Sequence, residues 1–144
     1  MKRALNCLTG MCYEKDKALT HPYPTLVEKL EKYGYDGKQL SHCMRIYYFM
    51  GMYLAGAPYE VCLKLANSEK MLNKLRKVKR NEVGNLEWAK KESKWLCEVS
   101  KGMKDAWVKS NPDYQPNKEV ETLMNEVCVE CMKTTFLNFV ANNC

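Results

Sequence analysis

Apolar positions recur at three- and four-residue intervals along most of this chain, the spacing that stacks side chains on one face of an α-helix. In residues 2–14 they are Ala4, Leu5, Leu8, Met11 and Cys12, and a helix is predicted there. His21-Pro22-Tyr23-Pro24 breaks the pattern, and Pro24 suits the first turn of a short helix over residues 25–33. Asp36 is a good N-cap and Gly34 frees the turn before it, so the next helix runs from about Gly37 until Gly56 and Pro58 end it. Tyr59 to Leu65 alternates with aromatic and β-branched content and is the one segment predicted to be extended. Asn67-Ser68 caps a helix over residues 69–79, and Trp88, Trp95, Val99, Met103, Ala106 and Trp107 form a broad apolar stripe on a longer helix beyond it. After the prolines of the 111–116 connection, a last helix from Lys118 to Asn138 or beyond places Val120, Leu123, Met124, Val127, Cys131 and Phe136 on its buried side. The predicted fold is all-α, a single-domain bundle of about five or six helices over residues 1–144 with at most one short extended segment.

Composition narrows the class. With 46% hydrophobic residues the chain is too apolar to stay disordered. The longest apolar run, residues 46–57, is well short of a bilayer span, and the charged start at Lys2-Arg3 lacks a sustained apolar core, so a cytoplasmic location is expected and no membrane partner. Eight cysteines raise the question of metal, but only Cys128 and Cys131 have ligand spacing, with no second pair and with His21 and His42 far away in sequence. The thiols are therefore expected to be reduced and metal-free, with no cofactor; Cys7, Cys12, Cys43, Cys62 and Cys97, scattered singly, read as small hydrophobes.

Candidate chemistry concentrates on the helix after Asp36. Lys38, His42 and Arg45, four and then three residues apart, share a face, and a cationic cluster on a largely enclosed helix calls for an anionic partner such as a phosphate, a carboxylate or a nucleotide. Tyr35 and Tyr48 flank that face and suit contact with a ring, whereas Trp88, Trp95 and Trp107 at helical spacing suit the core. The competing account is a helix whose Lys and Arg are simply solvated. Between Lys64 and Lys109 thirteen Lys or Arg face six acids, and the run from Lys74 to Arg80 suits either a phosphate backbone or a solvated helix end.

The run GYDGKQLSHCMRI, residues 34–46, resembles the G-Y-D-x-K-x-x-x-H-x-x-R-[LI] signature in the C-terminal half of predicted nucleotidyltransferases of the DNA polymerase beta superfamily, the RNA-repair-associated type of phages and bacteria. Leu72, Leu75 and Arg76 fall on a leucine-isoleucine-arginine pattern of that family, residues 83–95 resemble its following long helix and residues 110–120 its next connection, so the likeness spans roughly residues 34–137. It implies that Lys38, His42 and Arg45 contact phosphate or an interface, and that Arg76 joins them. The family's catalytic Gly-Ser turn is absent, and Glu14-Lys15-Asp16 stands alone where a metal site needs further carboxylates. The resemblance thus implies a non-catalytic nucleotide- or RNA-binding helical module that pairs with a separate catalytic chain. The alternative is a phage-type protein that sequesters a nucleotide or binds and inhibits another protein.

Overall fold

The computed structural model describes residues 1–64, 69–115 and 117–143, and the side chains of these except residues 120, 121, 124 and 134–143. The described residues form seven α-helices and no strand: α1 (Lys2–Lys17), α2 (Val27–Tyr33), α3 (Gly37–Leu54), α4 (Tyr59–Lys64), α5 (Glu69–Lys79), α6 (Leu86–Ser110) and α7 (Lys118–Asn143). Short 3-10 turns at Ala18–Thr20 and Pro24–Leu26 lie between α1 and α2. The all-α architecture is as the periodicity predicts. The chain divides into two compact units, Met1–Asn111 and Pro112–Cys144.

In the first unit α3 is the central element. It packs against α1, α4, α5 and α6, and α1 also packs directly on α6. Its buried positions, among them Leu40, Cys43, Met44, Ile46 and Met50, occupy more than one face, which is why this helix is apolar along so much of its length.

The Gly34-to-Gly37 joint that starts α3 is fixed from three directions. Gly34 ends α2 in the left-handed region at φ 77°, where a Cβ would also press on Leu86. Asp36, 1% exposed, accepts from the Lys38 backbone N–H at 3.1 Å, from Lys29 Nζ and from Gln39 Nε2 at 3.2 Å, so its buried carboxylate is fully partnered. From the α5–α6 connection, Asn81 Oδ1 accepts from the Gly37 N–H at 3.3 Å and Asn81 Nδ2 donates to the Tyr35 carbonyl at 2.9 Å. Gly37 is obligatory here, because a Cβ would stand 2.1 Å from the Val78 carbonyl oxygen.

Two expectations change in this unit. Residues 59–64 are helical, not extended. The Pro58 carbonyl accepts the first bond from Cys62 N–H at 3.1 Å, Cys62 points into the core, and Tyr59 and Leu63 stay at the surface, so the alternation of Tyr59, Val61 and Leu63 does not mark a half-buried strand. On α6 the deepest stripe is Ala89, Ser93, Leu96, Cys97 and Ser100; Trp88 and Trp107 pack beside it, and Trp95 is 46% exposed. Small side chains there let α6 approach its neighbours closely, which pushes the tryptophans to the flanks.

In the second unit, Leu123 and Val127 of α7 are 59% and 52% exposed, and Cys131 is exposed, in contrast with the buried side predicted for them. Leu65, the Asn67-Ser68 cap, Pro116 and the side chains of Val120, Met124 and Phe136 lie outside the described residues. No helix among the described residues is long and apolar enough to cross a membrane.

Candidate functional site

Lys38 and His42 do stand on one face of α3, and neighbouring helices complete a cationic surround. Lys38 is exposed and His42 half-buried. Burial, then the charges of Lys15 on α1 and Lys38, and least that of Lys79 at the end of α5, hold the His42 imidazole below its ordinary range, against an opposing influence of Cys43. Three helices thus deliver lysines toward one neutral imidazole. Lys15 was not singled out in the sequence, where it read only as the middle of an isolated acidic pair.

The remaining predicted site residues are engaged elsewhere. Arg45 donates from Nη2 to the Leu63 carbonyl at 2.8 Å, holding the C-terminal turn of α4. Arg76 bonds within its own helix, to Glu69 at 3.3 Å and Asn73 at 3.0 Å, on an exposed surface. Tyr35 is 1% exposed and donates its hydroxyl to the Val83 carbonyl at 2.7 Å, so its ring belongs to the joint before α3 and is closed to a ligand.

Tyr48 leads to a feature that the sequence left hidden. It lines an open groove of about 560 Å³ formed by α3, α5 and α6. Met44 and Leu96, both 1% exposed, lie at the groove where it meets the core. Its aromatic walls are Tyr47, Tyr48, Trp88 and Trp95, with Tyr47 as the hub: its ring centroid is 5.2 Å from that of Tyr48 and 5.5 Å from that of Trp95. Lys74 from α5, and Lys91 and Glu92 from α6, supply the charged rim. Trp88 is set by the turn before α6, since Gly84, at φ 74°, lets the chain pass so close that a Cβ would meet the indole at 2.0 Å. A volume of this size is in the range of small-ligand sites.

The groove and the His42 surround share two helices. Lys74 and Lys79 both stand on α5, about 7.5 Å apart along its axis at 1.5 Å per residue. Among the described residues no group of three or more His, Cys, Asp or Glu side chains is arranged to hold a metal ion.

Comparison of the chain with protein-family models, with curated proteins and with solved structures finds no match.

Proposed function

We propose that the Met1–Asn111 unit is a non-catalytic module that binds single-stranded RNA or a nucleotide, with bases stacked in the α3–α5–α6 groove and phosphate directed along α5. The observation that carries this reading is the groove itself, in which four aromatic side chains meet two lysines and one glutamate. Every base has a π-face, so exposed rings bind single strands without reading sequence, and flanking lysines follow the backbone charge. Trp95 fits that use. At 46% exposure it keeps much of its surface open while Tyr47 orients it.

Lys38, His42, Lys15 and Lys79 then form a second contact for phosphate, one that a mononucleotide in the groove would not need. Arg45 and Arg76, held by Leu63 and by Glu69 and Asn73, serve structure in this reading. The resemblance of residues 34–46 to the helical part of a nucleotidyltransferase is consistent with a nucleic-acid role, and the missing Gly-Ser turn and carboxylates argue against catalysis by this chain.

Titration of fluorescein-labelled oligonucleotides, followed by anisotropy and by tryptophan quenching, tests the reading. A single-stranded RNA of about ten nucleotides should bind, an equivalent duplex much more weakly, and affinity should fall as salt rises because phosphate neutralisation releases counterions. Saturation by free nucleotide with no gain from oligomer length would instead favour the nucleotide-sequestering alternative.

A further inference from the structure

Among the described residues four cysteines are buried, and three of these meet at one point. Cys12 on α1, Cys43 on α3 and Cys97 on α6 are 0%, 0% and 1% exposed. The Cys97 and Cys12 sulfurs are 3.5 Å apart, and Cys43 Sγ lies 3.5 Å from the Cys12 carbonyl oxygen and 3.8 Å from Ser93 Oγ. Ser93 and Ser100, both fully buried, flank Cys97 along α6. Nothing in the sequence announces this, since 31 and 54 residues separate successive members. Only the packing of α1 and α6 against each other and around α3 brings them together.

We propose that Cys12 and Cys97 are a latent redox pair, converted by hydrogen peroxide into a disulfide that joins α1 to α6. The inference is independent of nucleic-acid binding. Sulfurs at 3.5 Å must close by about 1.5 Å to reach disulfide length, a movement of two side chains on helices already in contact. Among the described residues the set is not arranged to hold a metal ion.

The environment also distinguishes the three sulfurs. Contact with Cys43 and then Cys97 lowers the Cys12 thiol from its ordinary range against the opposing effect of burial, while contact with Cys12, together with burial, pushes Cys43 and Cys97 up. Cys12 attacks first, in its thiolate form, and Cys97, 3.5 Å away, resolves it. The Cys12 thiolate attacks one peroxide oxygen; the S–O bond forms, the O–O bond breaks and hydroxide leaves, which becomes water on protonation. Cys97 sulfur then attacks the Cys12 sulfenic sulfur, the S–S bond forms, the S–O bond breaks, and the Cys97 proton departs with that oxygen as a second water. In sum two thiols lose two electrons and two protons, and one peroxide is reduced to two waters.

The test is peptide mapping of the full chain in a Cys7→Ser background, which leaves one cysteine in the tryptic peptide spanning residues 4–15. Folded protein is exposed to hydrogen peroxide well below its melting temperature, and remaining thiols are alkylated in denaturant. The dominant intramolecular link should join residues 4–15 to residues 95–101, vanish on dithiothreitol treatment, be absent in Cys12→Ser and persist in Cys43→Ser. The oxidised protein should also melt at a higher temperature than the reduced one, because the link closes a long loop. If Cys12 and Cys97 remain alkylatable while exposed Cys128 or Cys131 oxidises, or if the link forms only once the protein is unfolded, the cluster is inert packing and the proposal fails.

Discussion

Arg45 on α3 donates to the carbonyl oxygen of Leu63 on α4 at 2.8 Å, so the cation that spacing assigns to a ligand instead holds the end of the following helix. Phe49, one turn further along α3, meets Tyr59 edge-on with ring centroids 5.6 Å apart, and the two contacts tie both ends of α4 to α3. Arg45→Ala should therefore lower stability by about 1 kcal/mol, an exposed charge-assisted bond being worth less than a buried one. It should also raise hydrogen exchange in α4 while changing RNA affinity less than about twofold. Urea denaturation, amide exchange and anisotropy check the three parts.

The joint before α3 should be far less tolerant. Gly37→Ala places a methyl 2.1 Å from the Val78 carbonyl oxygen, and backbone cannot step aside as a flexible side chain would, so a loss of roughly 3 kcal/mol or more is expected. Tyr35→Phe keeps the packing and removes only the hydroxyl bond to Val83, for a loss of about 1 kcal/mol. Chemical denaturation should rank the two in that order.

His42 gives the fold a pH dependence of predictable sign. Burial and the charges of Lys15, Lys38 and Lys79 lower its folded-state pKa, so between that value and about 6.5 the unfolded chain binds more protons than the folded one. Stability should fall as pH drops through about 6.5 and level off below the folded pKa. His42→Gln should remove that component, seen as a pH-dependent difference between the two denaturation series. Phosphate seated among the same lysines should raise the His42 pKa, readable from its imidazole NMR shifts.

How much of this was legible in the sequence follows from what each pattern encodes. The α3 helix and its start were plain, because Asp36, Gly34 and the apolar spacing are local signals, and Asp36 does accept the Lys38 N–H. The same local reading misjudged α4, where the pattern of Tyr59, Val61 and Leu63 matched a strand although only Cys62 reaches the core. The partners of Arg45 and Tyr35 lie 18 and 48 residues away, which spacing within one helix cannot reveal. Trp95 shows the limit of hydrophobicity as a guide. It shares a period with Trp88 and so suits the core, yet the deep stripe of α6 is made of Leu96 together with Ala89, Ser93, Cys97 and Ser100, four residues whose small size counts for more than their polarity. The thiol cluster was invisible for the same reason as the groove, since each needs three helices to assemble.

The salt dependence of binding should divide the lysines by position. Lys74→Ala and Lys91→Ala, at the groove rim, should each reduce the slope of log affinity against log salt by somewhat under one, while Lys94→Ala, on the exposed surface of α6, should leave it nearly unchanged.

The most direct measurement of the central claim is the dissociation constant of a fluorescein-labelled single-stranded RNA for Trp95→Ala against the parent, at fixed salt. Trp95 is 46% exposed and outside the deepest core, so the variant should keep its helical circular dichroism. Loss of one base-stacking ring is worth about 1–3 kcal/mol, and the account therefore predicts affinity weakened roughly 5- to 150-fold, with Trp95→Phe recovering much of it. Unchanged affinity in a folded Trp95→Ala protein, or no RNA binding by the parent at any salt, would contradict the assignment of the groove.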